Sequence, residues 1–302
     1  MTGRVVVIGD ALIDEVHDGR GTREFVGGAA LNVAVGLSRL GVAATLIAMV
    51  GDDEPGAHIR ATIADHGVDL LASPAPLGTA RAVSTRRGTD PEYRFNQAAR
   101  ARRVRFDEAE VAAIAAAPIT VVSGFPFDDA AQTGALSAAV AGRIFAIDAN
   151  PRADLMRDRA AFVAAFEALA AAASVVKVGE DDARLLYDQP LDWLRPRLVD
   201  LGTRVVLATY GPAGAALDVG TEAVTRPASA LPGRIVDTMG TGDAAFAVMI
   251  ASLLERTPQD RDAWGAVLER AMDAAAATCR FEGAELRLPS ALRGRDLDRI
   301  GT

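Results

Sequence analysis

The stretch Asp237-Thr-Met-Gly240-Thr-Gly242-Asp runs without a break into the apolar segment Ala244–Leu254, and it decides how the rest of the chain is interpreted. Gly240 and Gly242 permit backbone angles that other residues resist, so several N–H groups can converge on one anion. These groups also open a helix, where N–H groups have no intrahelical acceptor and the helix dipole attracts negative charge. The stretch therefore predicts a phosphate-binding turn, formed by Gly240, Thr241 and Gly242, at the start of a buried helix.

Asp243 adds a carboxylate to the first turn of that helix. A carboxylate is repelled by a phosphate unless a cation or a proton intervenes, so phosphate binding does not explain it. Its expected role is to accept a proton from a hydroxyl that attacks the phosphorus. The alternative is an ordinary helix N-terminus, where aspartate is favoured electrostatically.

A second helix near the N-terminus also follows a pair of glycines. The residues Gly27-Gly-Ala-Ala-Leu-Asn32 lead into the apolar segment Val33–Leu40, which stops at Gly41. A glycine just past the last apolar residue is typical of a helix C-terminus. Upstream, Arg4–Ile8 is predicted to be a buried strand that runs into the segment Gly9–Asp14.

These segments together resemble the ribokinase-like carbohydrate kinases, the PfkB family. Gly27–Gly41 is similar to the family's N-terminal signature, and Asp237–Leu254 to its C-terminal signature, with Thr241 where alanine is commoner. Between them, the sequence TYGPAG at Thr209–Gly214 is similar to the family's TxGxxG nucleotide motif. Because the three motifs occur in the right order over nearly the whole chain, the resemblance implies an ATP-dependent kinase with a ribokinase-like α/β fold.

The composition indicates a globular protein. The chain has 302 residues, half of them hydrophobic, which suffices for one sizeable α/β domain or for a core with a small appendage. The resemblance implies a single α/β kinase domain over residues 1–302. No apolar run approaches the ~20 residues of a membrane span, and the start has no secretory leader, so no membrane partner is expected. The net charge of −8 argues against a nucleic acid partner, and the single cysteine, Cys279, favours the cytoplasm.

Strand-like and helix-like segments alternate along the chain. Predicted strands after the first are Thr45–Val50, Ile119–Ser123, Arg143–Asp148, Ser174–Val178 and Val205–Thr209, with helices such as Pro55–His66 and Ala160–Ala173 between them. This alternation predicts an α/β fold with a mainly parallel sheet covered by helices on both faces. Ligands of such sheets bind at the carboxyl ends of the strands.

Two segments break the alternation. Glu15–Val26 is predicted to be a hairpin turning at Asp18 and Gly19, and Ala82–Asn96 a second one turning at Arg87–Pro91. Hairpins do not join a parallel sheet easily, so they are expected to form a small separate sheet. The resemblance implies that this sheet is a lid over the sugar and leaves open a homodimer through it, whereas the alternative is a pair of solvated surface hairpins.

The resemblance assigns the sugar site to residues near the first strand. The segment Gly9–Asp14 is most similar to fructokinase members, in which the matching aspartate binds sugar hydroxyls, so a ketohexose such as fructose is the favoured substrate. Asn32 can hold a hydroxyl with both ends of its amide, or it can cap the helix. The full predicted set is Asp10, Asp14, Gly27, Gly28, Asn32 and Arg152.

Other polar residues are assigned to the nucleotide. The sequence Asp148-Ala-Asn-Pro-Arg152 resembles a D-x-N-x-R segment that lies near the phosphates in fructokinases and related sugar-acid kinases. Lys177 is the only lysine of the chain, which favours a phosphate contact as much as a packed aliphatic stem. The full predicted set is Asn150, Lys177, Thr209, Gly211 and Gly214.

The metal site departs from the resembled family. The family's N-x-x-E motif holds Mg²⁺ through water, and here Gly179 replaces its asparagine and Asp182 its glutamate. We therefore expect ATP with Mg²⁺, held through water by Asp182, and the resemblance leaves open a monovalent cation.

Several alternatives remain at this stage. Arg100, Arg102, Arg103 and Arg105 either form a solvated run or grip an anionic substrate, so a 2-keto-3-deoxy sugar acid, a phosphorylated sugar or a nucleoside stays open. A non-catalytic sugar or nucleotide sensor would have no need of Asp243. A dinucleotide oxidoreductase is disfavoured because no GxGxxG follows the first strand.

Overall fold

The computed structural model describes residues 3–18, 21–86 and 91–293. Its strands are β1 (Val5–Gly9), β2 (Leu12–Asp18), β3 (Gly21–Gly27), β4 (Ala44–Met49), β5 (Asp69–Ser73), β6 (Arg81–Arg86), β7 (Pro91–Phe95), β8 (Thr120–Ser123), β9 (Phe145–Asp148), β10 (Val175–Gly179), β11 (Val205–Thr209), β12 (Ala215–Val219) and β13 (Glu222–Arg226). Its helices are α1 (Ala29–Arg39), α2 (Glu54–Asp65), α3 (Gln97–Arg100), α4 (Glu108–Ala116), α5 (Ala130–Val140), α6 (Arg159–Ala170), α7 (Glu180–Tyr187), α8 (Leu191–Leu201), α9 (Thr241–Glu255) and α10 (Arg261–Thr278).

The large sheet is mainly parallel. Counted over the described ranges, it has nine strands in the order β13-β12-β11-β10-β9-β8-β1-β4-β5. All neighbours from β11 to β5 pair in parallel, and β12 and β13 add an antiparallel edge. The carboxyl ends of the parallel strands therefore meet along one edge of the sheet.

The sequence of β1 shows why this sheet is covered on both faces. Val5 and Val7 lie in one hydrophobic core, whereas Val6 and Ile8 lie in the other. Successive side chains of a strand point to opposite faces, so a strand that is apolar throughout must be buried on both. Helices α1, α2, α9 and α10 cover the first face, and α4 to α8 cover the second.

Helix α9 occupies the centre of the first face. It packs between α1 and α10, and its residues 243–252 are all buried. A helix that is apolar on every side is stable only when it is enclosed in this way. The buried helix predicted after the 237–243 stretch is thus present, and its N-terminus is fixed by neighbours on both sides.

The small sheet contains the two predicted hairpins. Its described strands have the order β3-β2-β6-β7, with antiparallel pairing inside each hairpin and parallel pairing between β2 and β6. Leu12, Ala82 and Phe95 form its core together with Ala99 and Leu155. The predicted fold, a covered parallel sheet with a small separate sheet, is confirmed, while the turns predicted at Gly19 and at 87–90 lie outside the described residues.

Two regions of the large sheet were not predicted from the sequence. The edge strand β5 is only partly buried, and in β13 only Val224 is buried. An edge strand has a neighbour on one side only and therefore carries a weaker apolar pattern than a central strand. The predicted bounds of β1, β4, β8, β9, β10 and β11 agree with the structure to within two residues, whereas β12, which leads into β13, was not predicted and the first hairpin begins earlier than predicted, at Leu12.

Across the described part of the chain, no helix combines the length and the apolar character needed to cross a bilayer.

Candidate active site

A cavity of about 690 Å³ opens at the carboxyl ends of the parallel strands, facing the small sheet. A volume of this size is typical of small-molecule sites. Most of the predicted site residues line it: Asp10, Asp14, Gly28, Asn32, Asn150, Arg152, Lys177, Asp182, Thr209, Gly211, Gly240, Thr241, Gly242 and Asp243. Gly27 and Gly214 are the predicted residues that do not line it.

The turn that begins α9 forms one wall of the cavity. Gly240 is the N-cap residue with φ 71°, and a Cβ at this position would lie 2.3 Å from the carbonyl oxygen of Ala284. Only glycine meets both conditions, because the left-handed region disfavours other residues and the neighbouring backbone leaves no room. The N–H group of Thr241 faces the carbonyl of Thr238 at 3.5 Å, so the first turn of α9 presents chiefly the N–H groups of Gly242 and Asp243.

The Asp243 carboxylate is buried beside this turn. Its Oδ2 accepts a hydrogen bond of 2.8 Å from the side-chain amide of Asn32, the residue predicted either to bind sugar or to cap α1. The N-cap of α1 is Gly28, so Asn32 is free for this contact. Burial raises the pKa of Asp243 to about 7, with a contribution from the nearby Asp148 carboxylate, against the lowering effects of Lys177 and of the Asn32 hydrogen bond. A carboxyl group with such a pKa can accept a proton at neutral pH.

Lys177 forms a buried ion pair within reach of the same turn. Its Nζ donates to both carboxylate oxygens of Asp148, at 3.1 and 3.0 Å. A Cβ added to Gly242 would lie 3.0 Å from this Nζ, so the ammonium group rests against the turn that begins α9. Burial by itself lowers the pKa of Lys177, but the carboxylates of Asp148, Asp182 and Asp243 together raise it by a larger amount. The pKa of Lys177 is therefore above its usual value. The site therefore holds a permanent positive charge next to its anion-binding turn.

Asp10 and Asp14 form the opposite wall. Asp10 follows β1, and its Oδ1 accepts a hydrogen bond of 3.1 Å from the N–H group of Ala30 at the start of α1. Asp14 lies inside β2 of the small sheet, and its carboxylate presses on Gly27, where a Cβ would lie 2.2 Å from Oδ2. Gly27 therefore makes room for Asp14, and Gly28, with φ 109°, packs against the backbone of Asp10.

Two carboxyl groups on this wall are easier to protonate than usual. Burial raises the pKa of Asp14 to about 7, and the neighbouring Asp10 carboxylate adds to the shift, while Arg152 opposes it. Burial also raises the pKa of Asp10. Arg152 lines the same space, with its guanidinium 5.8 Å from the ring centre of Tyr93 in β7. The wall is therefore rich in hydrogen-bonding groups and contains one cation.

The predicted nucleotide residues fall into two groups. Asn150, Thr209 and Gly211 line the cavity after β9 and β11, and both Asn150 (φ 38°) and Gly211 (φ 52°) have left-handed backbone angles. Gly214 instead has a structural role, because a Cβ there would lie 2.1 Å from the carbonyl oxygen of Arg226. It allows the turn between β11 and β12 to pack against the end of β13.

Asp182 has a structural contact in addition to its predicted metal role. Its Oδ2 accepts a hydrogen bond of 2.7 Å from the N–H group of Gly179 and so caps α7. Burial raises the pKa of Asp182 to about 6, while Lys177 lowers it. Among the residues that the structure describes, no three acidic, histidine or cysteine side chains converge as a metal cage. Mg²⁺ is commonly held by one or two carboxylates plus substrate phosphates, so Asp182 on the cavity wall fits a metal ion that arrives with a nucleotide.

The arginines of the run 100–105, which left an anionic substrate as an alternative, mostly bind groups outside the cavity. Arg100 donates to both oxygens of Asp154 at 2.8 Å, and Arg103 pairs with Asp129 at 2.7 Å. Arg102 donates to the carbonyl of Gly124 at 3.2 Å and lies behind Asp10. These contacts point the run away from the cavity.

The apolar part of the cavity was not predicted from the sequence. Leu12, Ala82, Tyr93 and Phe95 line it from the small sheet, and Ala284 lines it from the segment after α10. Alternation of Tyr93 and Phe95 along β7 was the available signal, since residues two apart in a strand share a face. Ala284 carries no such signal, because its position depends on contact with Gly240.

Comparison with known proteins agrees with this geometry. A profile of the pfkB family carbohydrate kinases matches residues 3–291. Fructokinases from Salmonella typhimurium and Klebsiella pneumoniae are 30% and 29% identical to the chain, over 99% and 96% of its length and 99% and 97% of theirs. The crystal structure of aminoimidazole riboside kinase from Salmonella enterica, complexed with aminoimidazole riboside and an ATP analog, superimposes with a TM-score of 0.78 at 24% identity, covering 96% of this chain and 98% of that one.

Proposed function

The chain belongs to the pfkB family of carbohydrate kinases and is an ATP-dependent sugar kinase, and from that premise we propose that it phosphorylates a hydroxyl of a ketohexose such as fructose. Fructokinases are among its relatives over nearly the full length of both chains. The proposal rests above all on one observation, the buried Asp243 carboxylate beside the N-terminal turn of α9.

Asp243 is the proposed general base. The acceptor hydroxyl lies between its carboxylate and the γ-phosphate of ATP. As the hydroxyl oxygen bonds to the γ-phosphorus, the carboxylate takes the proton, and the bond from that phosphorus to the β-phosphate oxygen breaks and releases ADP. Asn32 holds the carboxylate in place through its hydrogen bond to Oδ2. A weak base suffices because the transition state of phosphoryl transfer is loose, so positioning matters more than base strength.

The turn Gly240–Gly242 is the proposed anion hole. The N–H groups at the start of α9, chiefly those of Gly242 and Asp243, stabilise charge on the transferring phosphoryl group, and the dipole of the long helix α9 acts in the same direction. Lys177 supports this role with a fixed positive charge against Gly242. Asn150, Thr209 and Gly211 then border the remainder of the nucleotide.

Mg²⁺ is the proposed partner of ATP, and it supplies charge neutralisation on the phosphate oxygens. Asp182 would hold it through water, in addition to accepting the hydrogen bond from Gly179 that caps α7. A monovalent cation, a cytoplasmic location and a homodimer through the small sheet stay predictions of the sequence.

The sugar wall favours a neutral acceptor over a sugar acid or a phosphorylated sugar. Asp10 and Asp14 face this space with two carboxyl groups against the one guanidinium of Arg152, so whenever either carboxyl group is ionised the wall offers an anionic substrate no net positive charge. The ion pairs of Arg100 and Arg103 occupy the arginines that a second anionic group would need. The small sheet, with Tyr93 and Phe95 on its inner side, is the proposed lid that keeps water from the phosphate.

An ADP-release assay over a substrate panel tests the proposal. The panel contains fructose, other ketoses, aldoses, a 2-keto-3-deoxy sugar acid, a phosphorylated sugar and nucleosides, each with ATP and Mg²⁺. We expect the highest kcat/KM with fructose or a close ketose. Preferred turnover of the sugar acid or of a nucleoside would refute the assigned substrate, and absence of turnover with ligand-induced thermal stabilisation would indicate a sensor.

A further inference from the structure

Three residues after α10, Glu282–Ala284, connect the small sheet to the turn that begins α9; we call them the bridge. At one end of the bridge, the Glu282 carboxylate forms an ion pair of 2.7 Å with Arg23 of β3. The two side chains are 32% and 25% exposed, so water only partly screens the pair. The bridge is thereby attached to the edge of the small sheet.

Gly283, in the middle of the bridge, contacts both the small sheet and the glycine-rich stretch before α9. Gly283 has φ 79°, and a Cβ there would lie 3.1 Å from the ring of Phe25 in β3. Its N–H group faces Oδ2 of Asp237 at 3.3 Å, at the start of the glycine-rich stretch. The carbonyl of Ala284 lies against Gly240, which completes the path to the anion-binding turn.

The other end of the path reaches the sugar wall. Phe25 is directly opposite Asp14 in the antiparallel pairing of β2 and β3. Directly opposed residues share a face of the sheet, and so does Arg23, which stacks 5.9 Å from the centre of the Phe25 ring. Asp14 is thus connected to Gly240 through the pairing of β2 with β3, the Phe25 ring and the bridge, the kind of network that can carry coupling between two sites.

We propose that Arg23, Phe25 and Glu282 are positioning residues, which fix the position of the small sheet relative to the anion-binding turn. Sugar bound at Asp14 and nucleotide bound at Gly240–Gly242 then strengthen each other's binding through the bridge. This inference rests on the proposed function for the location of the two ligands. The three residues act through Gly283 and the turn rather than on either ligand.

The test measures coupling between the ligands. Calorimetry gives the Kd of fructose with and without a saturating non-hydrolysable ATP analogue and Mg²⁺, and the ratio of the two values is the coupling factor. We expect a factor of roughly 5 or more in the wild-type protein, which is the lower range of typical coupling between sites, and a factor below about 2 in Arg23→Glu and in Glu282→Arg. The double variant Arg23→Glu/Glu282→Arg restores the pair with reversed charges and should recover most of the coupling.

Glu24→Gln is the matched control. Glu24 lies on the same strand, points to the opposite face and pairs with Arg81 at 2.6 Å within the small sheet. Its removal should leave the coupling factor unchanged. A coupling factor near 1 in the wild-type protein, or an unchanged factor in both charge-reversal variants, would overturn the proposal.

Hydrogen exchange with the ATP analogue alone separates this inference from the choice of substrate. The analogue should slow amide exchange in β3 of the wild-type protein and of Glu24→Gln, but not in Arg23→Glu. If fructose does not bind but this pattern is found, the assigned sugar is wrong and the proposed role of the bridge is supported. If the analogue slows exchange in β3 equally in all three proteins, or in none of them, the bridge has no such role.

Discussion

At the scale of single residues, the site depends on three side chains, Asp243, Asn32 and Asp14, which lie in two different environments. Asp243 is buried among other carboxylates and hydrogen-bonded to Asn32, whereas Asp14 faces the cavity from the small sheet. Both carboxyl groups have a pKa of about 7, so their different positions, one beside the anion-binding turn and one on the small sheet, assign one as a base and the other as a hydrogen-bonding group for the substrate. Substitutions at the two aspartates should therefore have different kinetic signatures.

Asp243→Asn tests the base. We expect kcat to fall by roughly 10²–10⁴ while ATP affinity changes little, because a general base acts in the transition state. Single-turnover kinetics with fructose and nucleotide calorimetry provide the two measurements. The assignment is wrong if the variant retains more than about a third of the wild-type kcat, and Asp65→Asn, at an exposed position of α2 outside the cavity, is the control.

Asp14→Ala tests the sugar contact. The variant should bind fructose roughly 10- to 150-fold more weakly, since a hydrogen bond to a charged group contributes about 1.5–3 kcal/mol. Nucleotide affinity measured without sugar should stay as it is, because Asp14 lies on the small sheet and does not belong to the anion-binding turn of α9. Equal losses for both ligands in calorimetry would identify Asp14 as a structural residue instead.

At the scale of elements, the start of α9 and the end of β10 meet at Gly242 and Lys177. The methyl group of Gly242→Ala would lie 3.0 Å from Nζ of Lys177, so the ammonium group or the turn must move. We expect kcat to fall by about tenfold or more, because displacements near 1 Å can reduce rates by up to about 10²-fold.

Gly134→Ala is the matched control for that prediction. Gly134 lies within α5, and a Cβ there would have no neighbour within 4 Å. Alanine in a helix interior should raise the free energy of unfolding by roughly 0.5–1 kcal/mol with no change in kcat. Thermal unfolding and steady-state kinetics of both variants decide the matter: comparable kcat values would mean that Gly242 tolerates a side chain.

The start of α7 combines a helix cap with a metal role. Asp182→Asn keeps an oxygen that can accept from the N–H group of Gly179 but removes the charge. If Asp182 holds Mg²⁺ through water, half-saturating Mg²⁺ should rise by about tenfold, equivalent to ~1.4 kcal/mol, without loss of thermal stability. Asp182→Glu, longer by one methylene, should lower it. Identical Mg²⁺ titrations for both variants and the wild-type protein would leave Asp182 with the cap alone.

How far the sequence predicts the site also depends on the element. The glycine turns before α1 and α9 could be predicted because the need for a left-handed angle at Gly28 (φ 109°) and Gly240 (φ 71°) is local. The contact between Asn32 and Asp243 joins residues 211 positions apart, and no local pattern encodes it. The ion pair of Arg100 with Asp154 is likewise non-local, which is why the arginine run could not be interpreted from the sequence.

At the scale of the whole molecule, the two sheets place buried acids in one cavity. Asp10, Asp14, Asp182 and Asp243 all have raised pKa values, and desolvation is the largest cause in each case. A group whose pKa is higher in the folded state than in the unfolded chain binds protons more tightly when folded. Its favourable contribution is complete below the unfolded pKa and disappears as the pH rises through the folded value.

This linkage predicts that the catalytic base destabilises the fold at neutral pH. The pKa of Asp243 is about 7 in the folded protein against an ordinary value of 3.8, so its ionisation opposes folding increasingly between pH 4 and pH 7. Asparagine at this position is neutral throughout, so Asp243→Asn should be more stable than the wild-type protein by about 2–4 kcal/mol at pH 8, with the difference vanishing near pH 4. Denaturant unfolding of both proteins at pH 4, 6 and 8 measures it, with Asp181→Asn as an exposed control. A stability difference that stays constant across this range would show that Asp243 is not desolvated in the folded protein, and the same result would remove the basis for a proton acceptor with a pKa near neutrality.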